Sequence, residues 1–351
     1  MPDPSSPLQE AIRTLASRQS LSERLTAQVF GTVMRGEATP AQVAALLIGL
    51  RVKGETAEEV AGAARALREA MIRVEAARPH LVDTCGTGGG TIPTFNISTA
   101  AAFVAAGAGA SVVKHGNRSF TSKCGSADLL EALGVAINLD ARVAARVLRD
   151  ACITFLFAPN FHPAMKHVGA VRRELGVPSV MNLLGPLANP AGVRRQVVGV
   201  ADRDRAPLMA DALARLETEH AMVVHGRVGM DEISPQGVTD VWEIRGGAVK
   251  TWELEPSRYG CAIAEVSLLR GGTPAENAAR IERLLAGGGG GTDDDASGRA
   301  ALVLNAGAAI YVAGLAPTYD DGVRRAADAL ASGAGLRALE RLRRATASTS
   351  G

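Results

Sequence analysis

Aromatic residues are scarce in this 351-residue chain: Phe, Trp and Tyr together make up 3% of it, against 47% hydrophobic residues overall. A core of this size must be built from Ala, Val, Leu and Ile instead, and Ala-rich helices pack closely, which points to a helix-dominated α/β protein. A charge excess is missing too. Lys and Arg number 38 and Asp and Glu 36, so the balance gives no general case for binding nucleic acid or a membrane surface. The four cysteines, Cys85, Cys124, Cys152 and Cys261, form no CxxC pair. A chain this long has no need of disulfides, so reduced thiols in a cytoplasm are expected and structural zinc is not. The opening MPDPSSPLQE lacks the basic stretch and apolar core of a signal peptide. Apolar runs such as 100–106 are short and end in glycine, far from the ~20 apolar residues of a membrane helix.

What is present falls into two parts. Residues 8–17, 22–35, 40–53 and 56–75 carry apolar residues at helical spacing, with Ser22, Thr39-Pro40 and Glu55-Thr56 as start signals. No strand pattern precedes residue 80, so a small all-helical unit over 1–76 comes first. From His80 onward, strand candidates at 81–84, 110–114, 153–157, 196–200 and 221–225 alternate with helical stretches. This predicts a large α/β unit, 77–162 and 189–351, with a mainly parallel central sheet flanked by helices. A helical excursion at 163–188 is expected to pack on the first unit. Residues 241–244 and 249–254 read as a hairpin, 287–291 with Asp293-Asp294-Asp295 as a surface linker, and about 300–344 as closing helices. Sites in such sheets lie at the carboxyl ends of strands, where this reading places Asp83, Lys114 and His225.

Four constellations carry chemistry. The first is Gly86-Thr87-Gly88-Gly89-Gly90, followed by Thr94, Asn96, Ile97, Ser98 and Thr99. Glycines let a backbone approach a charged ligand, and a helix starting near Ser98 would aim free N–H groups at it. A tight strand–helix turn capped by Ser98 explains the same residues. Neither the P-loop nor the dinucleotide pattern fits. The second, Lys114-His115-Gly116-Asn117-Arg118 through Ser119, Thr121, Ser122 and Ser126, mixes cations with hydroxyls and glycines after an apolar strand. That chemistry suits phosphate oxygens, and the helix start near Ser126 would make a second anion site. The third, Asp231-Glu232, offers oxygen ligands for magnesium, although an isolated acidic pair is usually solvated surface. In the fourth, Arg172 or Arg173 could clamp a carboxylate, and spacing leaves the choice open; His162 reads equally well as a turn residue.

In this order the constellations resemble the anthranilate phosphoribosyltransferase family. KHGNR (114–118), GSADLLEALG (125–134), FHPAMK (161–166), VRRELG (171–176), NLLGPLANP (182–190) and DEIS (231–234) carry the resemblance over most of the chain. It implies a fold similar to class II nucleoside phosphorylases, condensation of anthranilate with phosphoribosyl pyrophosphate in tryptophan biosynthesis, release of pyrophosphate, and a homodimer meeting through the helical units. By matched motif, Gly86, Gly89, Gly90, Thr94, Asn96, Ile97, Ser98 and Thr99 would line the phosphoribosyl pyrophosphate site. Lys114, His115, Gly116, Asn117, Arg118, Ser119, Phe120, Thr121, Ser122 and Ser126 would complete it. Asn117 and Arg172 would meet anthranilate beside Gly86, with His115 and Pro186 along its route. Ser98, Asp231 and Glu232 would serve magnesium, and Lys114, Asn117 and Arg172 would take the transition-state and orienting roles. Many members of the family carry Asp where this chain has Gly90, so carry-over there covers backbone contact only. Thr121 and Cys124 stand in for commoner serines. Competing readings are a pyrimidine nucleoside phosphorylase, a non-catalytic nucleic-acid binder, and the same chemistry on another aminobenzoate.

Overall fold

The computed structural model describes residues 6–119, 123–287 and 292–347. The expected site positions Phe120, Thr121 and Ser122 lie outside the described residues, as does most of the glycine run 287–291.

Four helices open the chain: α1 (Pro7–Ala16), α2 (Glu23–Met34), α3 (Pro40–Lys53) and α4 (Ala57–Ala70). Their starts are where the sequence signals them. Ser22, Thr39 and Thr56 each accept a hydrogen bond from the backbone N–H three residues on, and the last two complete capping boxes with Gln42 and Glu59. Small residues substitute for aromatic filling. A Cβ on Gly62 would lie 2.4 Å from the Glu23 carbonyl, so α4 packs on α2 at backbone contact. The helix expected to reach residue 75 stops at Ala70, where Met71 turns extended.

The α/β part follows as β1 (Leu81–Gly86), α5 (Ile97–Gly107), β2 (Ser111–Gly116), α6 (Ser126–Ala132), α7 (Ala141–Ala151), β3 (Ile153–Phe157), α8 (Ala158–Phe161), α9 (Lys166–Leu175), α10 (Met181–Leu187), β4 (Arg195–Gly199), α11 (Ala206–Arg215), β5 (His220–Gly226), β6 (Thr239–Arg245), β7 (Ala248–Leu254), α12 (Pro274–Leu285), α13 (Asp293–Val312), α14 (Tyr319–Ala331) and α15 (Ala334–Ala347). The strand order is β3-β2-β1-β4-β5-β6-β7. The first five strands pair parallel, and the β6–β7 hairpin adds an antiparallel edge. Asp293, Asp294 and Asp295, expected in a linker, instead form the first turn of α13 behind a Thr292 cap, where carboxylates suit the positive end of the helix.

Strand alternation divides the core. Met222 and Val224 of β5 face the cluster built from α5, α6, α7 and α12–α15. Ala221 and Val223 face the cluster that joins α1–α4 with α9, α10 and α11. The N-terminal helices are thus seated, with α9 and α10, on one side of the sheet. The chain runs β1, β2, β3 outward and then returns to place β4 on the other flank of β1. This reversal makes a switch point at the carboxyl ends of β1 and β4, where ligands of open α/β sheets bind. Among the described residues no helix is long and apolar enough to cross a membrane.

Candidate active site

The glycine loop leaves β1 at that switch point. Gly88 (φ 67°) and Gly89 (φ 81°) adopt left-handed backbone, which the sequence supplies with the one residue that does so freely. Thr87 N–H donates to the Gly199 carbonyl at the end of β4 (2.9 Å), and Gly86 stands opposite Gly199 in the parallel register. The loop then rejoins the body at Thr94, which bridges to Arg270. Asn96 starts α5 in a left-handed conformation (φ 64°), its Nδ2 donating to the Cys124 carbonyl and its Oδ1 accepting from Asn277. Asn, not Ser98, is therefore the capping position. Ile97 and Thr99 are buried behind it.

Asp231 and Glu232 form the wall facing this loop. A Cβ on Gly90 would lie 2.8 Å from Asp231 Oδ1, and one on Gly86 would lie 3.3 Å from Oδ2. Glu232 Oε1 accepts the Ser98 N–H at 3.1 Å, so a carboxylate occupies the start of α5. Both acids keep some surface open, yet protein surrounds them densely enough that desolvation dominates. Burial raises the Asp231 carboxyl above its usual range, offset in part by its own backbone N–H, His225 and Gly88. Burial, then the adjacent Asp231, push Glu232 up to about 8 against the pull of Lys114. Among the described residues neither acid has an ion-pair partner within 4 Å. A hard divalent cation satisfies such a pair through oxygen ligands, and Ser98 adds a hydroxyl beside them, so the donor set fits magnesium.

Lys114 lies between the two walls. It is 4% exposed, and its Nζ donates to the Thr84 carbonyl and to Ser98 Oγ (3.2 Å). Burial lowers its pKa while Asp83, Cys85 and Glu232 favour its charge. Lys114, expected at a strand end, is the fourth residue of β2, and Asp83 is likewise expected at a strand end. It occupies the interior of β1 instead, fully buried, its carboxylate accepting from His115 N–H (3.3 Å) and Asn189 Nδ2 (2.9 Å). It braces β2 beneath the site rather than facing substrate. His115 and His162 meet Nε2 to Nε2 at 3.2 Å. Burial drives them down to about 3 and about 4 respectively, so both are neutral.

The rest of the basic loop divides. Asn117 lies just past β2, its Oδ1 accepting the Arg118 N–H. Arg118 is bound up with Asp128 (2.8 Å) and Glu131 (2.6 Å) on α6 and does not reach the glycine loop. The expected second anion site near Ser126 is likewise met from within: Asp128 Oδ2 accepts the N–H groups of Gly125 (2.9 Å) and Ser119 (3.3 Å), while Ser126 Oγ donates to Asn117 O. Gly116 has a packing reason, since a Cβ would lie 2.2 Å from Ser126 Oγ. Of the two arginines on α9, Arg173 is exposed and Arg172 half-buried. No hydrogen bond or ion pair engages the Arg172 guanidinium among the described residues, and burial lowers its pKa. Pro186 lies in the last turn of α10, its carbonyl held by Gln196 Nε2 at 2.7 Å. Sequence reading passes over Gly199, although a Cβ there would overlap the Asp231 carbonyl at 1.7 Å. A glycine ending a buried strand gives no sign of which distant loop rests on it.

Two family models match the chain: the glycosyl transferase family α/β domain over residues 78–336 and the helical bundle domain of the same family over residues 9–71. An anthranilate phosphoribosyltransferase from Rubrobacter xylanophilus is 50% identical over 95% of this chain and 96% of its own length. One from Chloroflexus aggregans is 48% identical over 98% and 99%. Among solved structures, the anthranilate phosphoribosyltransferase of Thermus thermophilus superposes with a TM-score of 0.89 at 42% identity, covering 96% of this chain and 99% of that one. The Saccharomyces cerevisiae enzyme in complex with PRPP and Mg gives 0.88 at 31% identity, covering 97% and 98%. With both of its units matched and half of its residues shared with a relative along nearly the whole length, the chain belongs to the anthranilate phosphoribosyltransferase family of glycosyl transferases.

Proposed function

We propose that this chain transfers the phosphoribosyl group of phosphoribosyl pyrophosphate to the amine of anthranilate, releasing pyrophosphate, in tryptophan biosynthesis. The observation that carries the reading is the pair of half-buried carboxylates, Asp231 and Glu232, set against a glycine loop with Lys114 between them. That arrangement suits a magnesium-bound diphosphate. The backbone of Gly86, Gly89 and Gly90, with Thr94, Asn96 and Ser98, would line its site, and the chain from Lys114 to Asn117 would close it; Ile97 and Thr99 pack behind, and Arg118 and Ser126 are held by α6 and by Asn117. Ser98, Asp231 and Glu232 would hold magnesium, which neutralises charge on the diphosphate oxygens when bound.

The remaining chemistry is positioning. The amine attacks ribose C1 from the face opposite pyrophosphate. The C–N bond forms as the C–O bond breaks, and the electron pair leaves on pyrophosphate. Lys114 Nζ, with two of its three protons committed to Thr84 and Ser98, keeps one for the oxygen where charge develops. Arg172, which no hydrogen bond or ion pair engages among the described residues, takes the carboxylate in bidentate fashion. Asn117 orients the amine, and the neutral His115 and Pro186 line the way in. An arylamine is unprotonated at neutral pH, and the N–H proton of the ammonium formed on attack is acidic enough to pass to pyrophosphate or water, so the reaction needs no strong base. The chain then divides into a helical unit, 1–76 with 163–188, and an α/β unit, 77–162 and 189–351. It works in the cytoplasm as a homodimer joined through the helical units, where Val52 of α3 is 74% exposed.

The test is pyrophosphate release from phosphoribosyl pyrophosphate and magnesium, with and without anthranilate. Anthranilate-dependent release is expected. Its absence, or equal release with other aminobenzoates, removes the assignment to anthranilate.

A further inference from the structure

The last carbonyls of α10 are each gripped by a side chain from a different element. Gly185 O accepts from His115 Nδ1 of β2 (3.3 Å), Pro186 O from Gln196 Nε2 of β4 (2.7 Å) and Leu187 O from Arg68 Nε of α4 (2.6 Å). Two residues on, Asn189 Nδ2 donates to Asp83 Oδ2 and to the Val113 carbonyl. Helix ends leave carbonyls without backbone partners, and in this short segment they have become the fastening between the helical unit and the sheet.

Of these grips, Arg68 alone comes from the first four helices. Its Nη1 also reaches Leu216 O (3.4 Å), just past the end of α11. Among the described residues it pairs with no carboxylate. The guanidinium therefore stands between the carboxyl ends of two helices, where backbone dipoles gather negative partial charge. Charge-assisted bonds of this kind hold geometry more firmly than neutral ones. Burial, with Arg65 adding to it, brings the Arg68 pKa down to about 10, which leaves it charged at neutral pH.

We propose that Arg68 is a positioning residue for the nucleophilic substrate, a role that rests on the function proposed above. α10 follows α9, which carries Arg172, and its Gly185 touches His115, two residues before Asn117. Fixing Leu187 to α4 thus fixes the spacing between Arg172 on the helical side and Asn117 on the sheet side. The glycine loop, Lys114 and Asp231-Glu232 all sit on the sheet, so a shift of α10 against the sheet leaves their mutual geometry unchanged. Arg68 therefore serves the aromatic acid and leaves the diphosphate side alone.

Arg68→Met keeps the aliphatic stem and removes the donors. Loss of one charge-assisted bond corresponds to roughly a tenfold or larger rise in the anthranilate KM, with kcat and the phosphoribosyl pyrophosphate KM little changed. Arg68→Lys, which can still donate to Leu187 O, restores most of the loss. Arg65→Met is the control: Arg65 on the same helix binds Glu23 and the Arg215 carbonyl, so its loss lowers Tm without moving the anthranilate KM. Amide hydrogen exchange across 185–191 accelerates in Arg68→Met and not in Arg65→Met. Equal KM changes for both substrates, a loss confined to kcat, no rescue by Arg68→Lys or unaltered exchange at 185–191 overturns the proposal. Failure of the unmutated enzyme to turn over anthranilate overturns the functional reading instead, and the exchange data still decide whether Arg68 fastens α10.

Discussion

Replacing Gly199 with alanine tests how the two walls of the site are held apart. The backbone of Gly199 has no positive φ to protect, so alanine suits the local conformation of β4. Its Cβ would nevertheless fall 1.7 Å from the Asp231 carbonyl oxygen and 2.6 Å from the carbonyl carbon, both backbone atoms. Ordinary contact requires the Asp231 loop to retreat by about 1.5 Å, or β4 to move the same distance, and overpacking of this kind costs about 1–3 kcal/mol. The retreat carries Asp231 and Glu232 away from Gly90 and Ser98. The opposite shift disturbs the Gly199 carbonyl that anchors Thr87 N–H. Misplacement by about 1 Å costs on the order of 100-fold in rate. Gly199→Ala should therefore show a modest loss of stability in urea, and a fall of about two orders of magnitude in kcat/KM for phosphoribosyl pyrophosphate at any magnesium concentration. Full activity with unchanged stability would show that the Asp231 loop does not rest on β4 in the working enzyme.

Arg172→Ala removes a guanidinium that makes no hydrogen bond or ion pair among the described residues, so Tm should hold while the anthranilate KM rises about 10- to 100-fold, the worth of a charge-assisted pair; a change confined to the phosphoribosyl pyrophosphate KM contradicts the assignment. Arg205 and Glu55 form a pair at 2.7 Å with the Glu55 side chain 1% exposed. Arg205→Met should cost about 3 kcal/mol by leaving a buried charge alone. Because burial already raises the Glu55 carboxyl, that loss should shrink on acidification, as denaturant melts at successive pH values will show. For Glu243, burial acts upward, but hydrogen bonds from His220, Tyr311 and Trp252 prevail and hold it down to about 2. Its folded pKa lies below the unfolded value of 4.5, so its stabilisation is present above pH 4.5 and lost as pH falls toward 2. Discounted for partial solvation, it is about 1–2 kcal/mol, and Glu243→Gln should flatten that part of the acid limb.

Much of the fold was legible because its signals are local. Ser22, Thr39 and Thr56 cap helices where their sequence pattern says they do, and the runs read at 81–84, 110–114, 153–157, 196–200 and 221–225 become the parallel strands. The misreadings share a cause as well. Asp293–Asp295 look like a solvated tract beside glycines, but the same three carboxylates stabilise a helix start, and composition does not separate the two. The helix ending at Ala70 rather than 75 is decided by tertiary contacts, since Ile72 N–H donates to the Phe161 carbonyl and Val74 N–H to that of Pro190. Asp83 was misplaced for a related reason: β1 continues to Gly86, so a polar residue thought to end the strand lies inside it.

Within the site, Lys114 and Arg118 show where residue type stops being informative. Both are cations in one five-residue motif and read alike as phosphate ligands. Lys114 is the fourth residue of a strand whose first five residues are buried, so its ammonium is enclosed and directed at Thr84 and Ser98. Arg118 comes two residues after the strand ends, is open to solvent, and finds Asp128 and Glu131 ten and thirteen residues on. The strand boundary, not the charge, separates their fates in this structure. The glycines divide in the same way. Gly88 and Gly89 announce themselves because a loop with left-handed backbone needs them. Gly90 and Gly199 are crowded by Asp231, and Gly86 by the Gly199 carbonyl and Asp231 together, a reason supplied by residues as much as 145 positions away. A side chain at position 90 would meet the Asp231 carboxylate first, which would have to swing aside to admit it.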